Sequence, residues 1–380
     1  MGKHSSHYRR KRKTKKWTFE ILMALAGLLL IGCAYAGKIN PESFVPAPFM
    51  MLGYVPMLVL SVVLLVVSLL CRRWIGAILL ILAFLATAPV FRLFMPFNNA
   101  DMAPPEPADR SLVLKVMTYN VLSFNYNEPK LGGKPSESMK LILDADPDVL
   151  LMQEGGAGGV FWEMIPSLTP YVSEIKLKYP YNYWGSEGLS IMSKYPFTTV
   201  PLGESQYARS PLGYNRNQSS YLARAYDLQL PSGKQLRLVD FRLQSYHLSF
   251  GKGQSVRVSP DVKPSALERM RRSFTLRGHD ATEIRKAIDA SPDNLIVCGD
   301  MNDVPASHVY RLICGDDLQD AWEQVGSGYA NTYNRHNLCY RIDHVFYRGD
   351  LRALRASRLK GGSSDHYPLL VAFDIENTRK

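Results

Sequence analysis

Three apolar stretches, residues 17–36, 49–70 and 74–94, follow one another in the first quarter of the chain. Each has about the 20 residues an α-helix needs to cross roughly 30 Å of hydrocarbon. The spacing therefore predicts three membrane-spanning helices ahead of everything else. Glu20 falls in the first turn of the first stretch, within reach of headgroups, and the second stretch carries no charge. Only Arg72 and Arg73 separate the second stretch from the third, which allows no more than a tight turn. Trp17 and Trp74 stand at segment starts, where interfacial anchors sit. A cleaved signal peptide ending near Ala34-Tyr35-Ala36, or a lipoprotein-like signal around Leu30-Ile31-Gly32-Cys33, competes for the first segment. The uncleaved helix is preferred.

Charge sets the expected orientation. The formal net charge of +11 first suggests a binder of nucleic acid or membrane surfaces, but it is unevenly placed. Residues 1–16 hold eight Lys/Arg and no acid, 17–110 balance, and 111–380 retain only +3. The Lys/Arg excess marks 1–16 as a basic cytoplasmic tail and puts Arg72-Arg73 on the same side. The loop 37–48 and everything after the third span then lie outside. This predicts a multi-pass protein of the inner (cytoplasmic) membrane with an extracytoplasmic, periplasmic soluble part. Residues 97–111 are polar and Pro-rich and read as a linker, so the expected divisions are 1–16, 17–96, 97–111 and 112–375. The five cysteines give neither metal spacing nor an even framework and read as reduced and mostly buried.

From Leu112 the pattern changes to short β-like runs between helical ones. Strands are expected at 112–119, 148–152, 189–192, 294–298, 342–347 and 369–373. A hairpin joins 223–230 to 235–243 through Pro231-Ser232-Gly233-Lys234, and helices are expected at 136–143 and 266–288. Polar residues gather at the ends of these runs: Asn120, Glu154, Asp300, Asn302 and Asp343, with His247 and Asp365-His366 in similar settings. Each alone is an ordinary turn or solvated residue. Together, on strand ends at one rim, they supply what metal-assisted phosphoester hydrolysis needs. That is carboxylates for a hard divalent cation, a carboxylate to take a proton from water, and imidazoles to stabilise charge or protonate a leaving group.

Six blocks carry these residues: MTYNV (Asn120), LLMQE (Glu154), SYHLS (His247), VCGDMND (Asp300, Asn302), YRIDHV (Asp343) and SSDHYP (Asp365, His366). In this order they resemble the endonuclease/exonuclease/phosphatase superfamily over about 112–375, as a membrane-anchored bacterial member. The resemblance implies a four-layered α/β sandwich, two packed β-sheets flanked by helices, preceded here by the three spans. It implies a divalent-metal-dependent phosphoric ester hydrolase using Mg²⁺ or Mn²⁺. Glu154 is then the main metal ligand, with Asn120 beside it and Asp365 close by. Asp300 orients or deprotonates the attacking water, and Asn302 contacts the phosphate. His366 sits at the reacting phosphate, oriented by Asp343. His247 matches a catalytic and phosphate-binding histidine, although Tyr246 replaces the usual threonine and Arg242-Leu243-Gln244-Ser245 depart from the usual Asn.

Two clusters stay open on sequence alone. The stretch 251–279 is basic and reads as a solvated helix face or as a rim for anionic headgroups. Tyr179, Tyr181, Tyr183 and Trp184 read as core packing or as an aromatic lip at a membrane interface. Expected partners are the lipid bilayer and a phosphoester substrate, lipid or headgroup-like in preference to nucleic acid, with no obligate protein partner evident. The alternatives are an extracytoplasmic nuclease and, from a different class, a non-catalytic anchored binding module.

Overall fold

The structure, a computed structural model, describes residues 2–98, 112–125, 134–156, 162–185, 188–202, 223–245, 265–335 and 338–375. Of the expected linker, 99–111 lie outside the described residues. The chain divides into two compact units, Met1–Leu93 with Ala306–His308, and Phe94–Pro305 with Val309–Lys380.

The first unit is helical: α1 (Gly2–Tyr35), α2 (Pro46–Leu52), α3 (Tyr54–Leu70) and α4 (Trp74–Phe94). Two helical segments, Trp17–Lys38 and Trp74–Phe94, are long and apolar enough to cross a membrane. The expectation of three uninterrupted spans is corrected at the second. Its apolar residues form two helices, α2 and α3, bent by 57°. The cause lies in the sequence: the ring of Pro56 clashes with the carbonyl four residues back, at Leu52, so α2 ends there and α3 restarts past Gly53. By itself α3 has 17 residues, about 26 Å of helix. Arg92 sits in the last turn of α4, where a long cation can extend towards an interface.

The second unit begins its sheet structure with β1 (Val113–Asn120), α5 (Glu137–Ala145), β2 (Val149–Gln153), α6 (Val172–Lys178), β3 (Tyr181–Trp184) and β4 (Ser190–Ser193). It continues with β5 (Phe197–Leu202), β6 (Ala223–Gln229), β7 (Gln235–Arg242), α7 (Ala266–Asp289), β8 (Leu295–Asp300) and α8 (His308–Cys314). It ends with β9 (Gln319–Asp320), α9 (Ala321–Val325), β10 (Tyr333–Arg335), β11 (Leu338–Tyr340), β12 (Asp343–Arg348), β13 (Arg352–Arg358) and β14 (Leu369–Asp374). One six-stranded sheet has the order β13-β14-β1-β2-β4-β3 and the other β5-β6-β7-β8-β12-β9; β10 and β11 form a separate hairpin.

Each sheet is mostly antiparallel but has one parallel pair at its centre, β1 with β2 and β7 with β8. A parallel pair brings two strand C-termini to the same edge, so each sheet delivers two chain exits side by side. The strands nearest these pairs are buried on both faces and therefore read as continuous apolar runs. Val116, Leu151 and Ile191 of one sheet pack against Leu238, Ile296 and Val345 of the other in a shared core. On the outer face of the first sheet, Met117, Leu150 and Met192 meet Ile142 and Ile175 of α5 and α6. α7 and α8 cover the second sheet: Arg277 of α7 bonds the Gln244 carbonyl, and the Tyr310 ring of α8 packs on Phe346. Two sheets between two helical layers is the expected four-layered sandwich. Short edge elements, β3, β5, β13, α6, α8 and α9, went unread in the sequence.

The aromatic cluster resolves towards packing. Tyr179 is fully buried with its hydroxyl donating to the Pro147 carbonyl, and Trp184 stacks on Trp162 at 5.3 Å. Tyr181 remains exposed. In the basic stretch, Arg277 is fully buried beside Asp303 at 3.6 Å and braces the fold, while Arg271 is exposed on a solvated helix face. Residues 251–264 lie outside the described residues. All five cysteines are free; Cys33 and Cys298 are buried, but Cys71 and Cys339 are exposed, so the mostly buried expectation holds only in part.

Asp320 joins several of these elements. Its carboxylate accepts from Arg341 Nη1 at 2.8 Å, from the Tyr310 hydroxyl at 3.0 Å and from the Trp322 amide at 2.8 Å, capping α9. Burial would push its carboxyl up, but the Arg341 guanidinium holds it below the usual range. Asp320→Ala leaves a buried guanidinium without its carboxylate and should cost about 3–5 kcal/mol. Chemical denaturation of the full chain in detergent checks this; an unshifted midpoint would show that the ion pair does not brace the fold.

Candidate active site

The two parallel pairs end within hydrogen-bonding distance of each other. Asn120 closes β1, Glu154 follows β2, Arg242 closes β7 and Asp300 closes β8. The Asn120 amide donates to Glu154 Oε1 at 3.1 Å and to Asp300 Oδ2 at 3.0 Å, tying the first sheet to the second. Ser364 Oγ donates to the Asn120 carbonyl at 2.7 Å and accepts from the His366 amide at 3.1 Å, which brings the 363–366 turn alongside.

Backbone strain marks the same residues. Glu154 and Asn302 have φ of 54° and 52°, and Leu122–Asn125 all lie near φ 50°. Left-handed non-glycine residues cost roughly 1–3 kcal/mol each and persist where the surroundings hold them. Here the left-handed residues follow the ends of β1, β2 and β8. Gly299, at φ 149°, has a different reason: a Cβ there would collide with the Phe241 carbonyl on β7. Only glycine lets β7 and β8 approach this closely beside Asp300.

Asp300 and Asp343 are register partners across β8 and β12. Both are almost completely buried. Asp343 Oδ2 pairs with His366 Nδ1 at 2.8 Å, while its Oδ1 has no hydrogen-bond partner among the described residues. Thr332 Oγ1 accepts from the amides of Ile342 and Asp343, both at 3.0 Å, and so fixes the start of β12. The other imidazole nitrogen, His366 Nε2, lies 3.9 Å from Asp300 Oδ2. The Tyr333 ring stands edge-on to His366 at 5.2 Å. Asn302 holds Asp300 from the other side: its backbone N–H reaches Oδ1 at 2.9 Å and its amide reaches Oδ2 at 3.0 Å. That amide also donates to the Leu243 carbonyl at 3.0 Å.

Electrostatics follow from this crowding. Burial pushes the Asp300 carboxyl up to about 6, with His366 pulling down and Asp343 pushing further up. Burial works against the charged imidazole of His366, but Asp343 and Asp300 outweigh it and raise the group to about 10. Glu154 is desolvated, yet the Arg242 guanidinium and the Asn120 amide hold it below the usual carboxylate range. At neutral pH the site therefore contains ionised Glu154 and charged His366.

The structure thus brings Asn120, Glu154, Asp300, Asn302, Asp343 and His366 together. Asp365 stands at the rim with its carboxylate 3.4 Å from Arg335 Nη1. His247 lies outside the described residues. Arg242 is the functional candidate that sequence reasoning passed over: its Nη2 lies 2.6 Å from Glu154 Oε1. Its signal was present as a departure in the block before His247, but an arginine at a strand end has no distinguishing pattern of its own.

Glu154 and Asp300 offer carboxylate oxygens, the chemistry a hard divalent cation requires, while Asn120 presents its N–H groups to them and turns its Oδ1 to the Leu122 amide. A guanidinium now rests against Glu154, so a positive charge is already favoured where a metal would bind. A tighter group, Asp300, Asp343 and His366, also offers ligand atoms within 4.8 Å of one another. There the imidazole–carboxylate bond consumes the ligand atoms, so the group fits proton handling better. The residues fit a divalent metal held at Glu154.

Two mixed sheets with helices outside, and strand-end acids, amides and an Asp–His pair at one rim, define a phosphoester hydrolase. The Endonuclease/Exonuclease/phosphatase family model matches residues 117–366, and the chain belongs to that family. It is a divalent-metal-dependent phosphoric ester hydrolase. A second model, described as a domain of unknown function (DUF8431), matches residues 16–94. No curated protein matches the chain. Among solved structures it is similar to the human Nocturnin catalytic domain with bound sulfate, at 17% identity over 69% of this chain and 94% of that one, TM-score 0.45. It is also similar to a Bacteroides thetaiotaomicron mannosyl-6-phosphatase, at 14% identity over 68% of this chain and 99% of that one, TM-score 0.43. TDP2 of D. rerio complexed with a single-strand DNA product is 17% identical over 69% of this chain and 98% of that one, TM-score 0.43.

In the metal-free protein, the His366 imidazole should titrate near 10 rather than at its ordinary 6.5. The raised value stabilises the folded state fully below 6.5, and that contribution is lost as pH rises through about 10. Asp343→Asn removes the main partner and should bring the titration down by a unit or more. Histidine NMR against pH checks both; a His366 that titrates near 6.5 in the wild type would contradict the ion pair.

Proposed function

We propose that this chain is a membrane-anchored phosphoesterase whose catalytic unit faces the extracytoplasmic side and acts on a lipid or headgroup-like phosphoester. The observation that carries the enzymatic reading is the pair of hydrogen bonds donated by the Asn120 amide, which joins an ionised Glu154 to Asp300 and, through it, to His366. In this reading Glu154 holds the divalent metal, Mg²⁺ or Mn²⁺, with Asn120 and Asp365 beside it. When bound, the metal neutralises charge on phosphate oxygens.

The chain's own residues do the rest. Asp300, raised to about 6, accepts the proton of the attacking water near neutral pH. Asn302 holds that carboxylate, and its side-chain amide reaches the phosphate only by exchanging its bond to Asp300 or to the Leu243 carbonyl. His366, charged and fixed by Asp343, stabilises the equatorial oxygens or protonates the leaving group. His247 is assigned to the phosphate from its motif alone.

Support for the anchor is the two apolar helices, with the bent pair α2–α3 as a third, shorter element. Support for the outward orientation is the eight-residue basic tail together with Arg72-Arg73. The lipid preference rests on tethering near the bilayer and on the modest +3 of residues 111–380, small for a protein that tracks a polyanionic backbone. An extracytoplasmic nuclease is the second reading, since a local basic groove suffices for short contacts.

EDTA should abolish hydrolysis, and Mg²⁺ or Mn²⁺ should restore it. Glu154→Ala, Asp300→Ala and His366→Ala should each lower turnover by about 10²–10⁴-fold. Asp343→Asn should cost less, because it acts through His366. Turnover by the purified full chain is compared on mixed lipid vesicles and on plasmid or single-stranded DNA. Full activity without metal, or in a folded Glu154→Ala, would sink the mechanism. DNA cleaved much faster than any lipid, and lost in Glu154→Ala, would replace the lipid preference with the nuclease reading.

A further inference from the structure

Arg242 is the last residue of β7 and the register partner of Asp300 on β8. Side chains alternate along a strand, so Arg242 shares a face with Asp240, two residues earlier. Asp240 reaches across to the other sheet, where its Oδ1 accepts from Gln153 Nε2 at 2.5 Å. Arg242 makes the next crossing along, to Glu154. The ladder beside it is continuous, since the Leu243 amide donates to the Asp300 carbonyl at 2.9 Å. The guanidinium is therefore mounted on rigid backbone and aimed between the two sheets at the rim.

Its bonding is incomplete for a structural brace. Nη2 meets Glu154 Oε1, while the buried Nε has no hydrogen-bond partner among the described residues. The side chain is 37% exposed, in contrast to the fully buried Arg341 and Arg277, and so remains open to an entering group. Charge balance points the same way. The site gathers the carboxylates of Glu154, Asp300, Asp343 and Asp365, which repel an incoming phosphate. Arg335 at the rim is engaged with Asp365, and His366 with Asp343. A planar guanidinium matches two phosphate oxygens at once, and once a divalent cation takes the Glu154 carboxylate its Nη2 donors need another anion.

We propose that Arg242 binds the non-bridging oxygens of the scissile phosphate, a substrate-contacting residue additional to the acids, amides and histidines of the motifs. This rests on the phosphoesterase reading of the site, and binding separates the two. Calorimetry on the full chain in detergent, with saturating Mg²⁺, measures the affinity for inorganic phosphate in wild type, Arg242→Gln and Arg242→Lys, each checked for folding by circular dichroism. A separate titration measures the affinity for Mg²⁺ alone. Losing a charge-assisted bond should weaken phosphate by between about 10- and 100-fold in Arg242→Gln. Arg242→Lys should recover only part of it, and Mg²⁺ should bind no more weakly than in the wild type. Unchanged phosphate affinity, with only the Mg²⁺ affinity altered, would overturn the proposal and make Arg242 a counter-ion of Glu154. Phosphate binding lost in Arg242→Gln, in a protein that hydrolyses no phosphoester, would overturn the functional reading and leave Arg242 as a phosphate-binding residue only.

Discussion

One side-chain amide holds the candidate site together. Asn120 ends the central strand of the first sheet, and its two N–H groups reach Glu154 in the same sheet and Asp300 in the other. Hydrogen bonds to charged acceptors contribute more than neutral ones, and here they act between buried groups. The parallel pairing inside each sheet makes this possible. It sends β1 and β2, and separately β7 and β8, out of the fold at one edge. Four side chains, an amide, two carboxylates and a guanidinium, then meet at a rim, three from strand ends and Glu154 from the residue that follows β2.

The cost of that arrangement is visible in the backbone and in the charges. Glu154, Asn302 and Leu122–Asn125 adopt left-handed conformations, and Asp300 faces Asp343 across a strand pair with both carboxylates buried. The shared core of Val116, Leu151, Leu238 and Ile296 holds the strands, and the Asp320–Arg341–Tyr310 network clamps the segment leading into Asp343. Burial, reinforced by the neighbouring Asp343, raises Asp300 into the range of a usable base, and the two carboxylates keep His366 charged.

How much could be read without coordinates depended on the physical origin of each signal. β1, β2, β8 and β12 were legible because strands buried on both faces become apolar runs, and polar residues at their ends stand out. Asn120, Glu154, Asp300, Asn302, Asp343 and His366 were found this way. Edge elements such as β5 and β13 mix polar and apolar residues and carry no such contrast. Summed hydropathy over 49–70 does not register that Pro56 forbids a continuous helix, so one straight span was expected where α2 and α3 bend. Arg277 counted as part of a basic stretch, yet it is buried against Asp303, because linear charge density says nothing of which face a residue takes. Arg242 escaped for the opposite reason: its meaning lies wholly in a partner on another sheet, 88 residues away in sequence.

The central claim is that the rim around Asn120 holds a divalent cation through Glu154. Anomalous diffraction from crystals of the full chain grown with Mn²⁺ tests it without reference to any substrate. The account predicts an anomalous peak against the Glu154 carboxylate, near Asn120, with the Arg242 guanidinium withdrawn from Oε1. Mn²⁺ bound only elsewhere, with Arg242 still paired to Glu154, would contradict it.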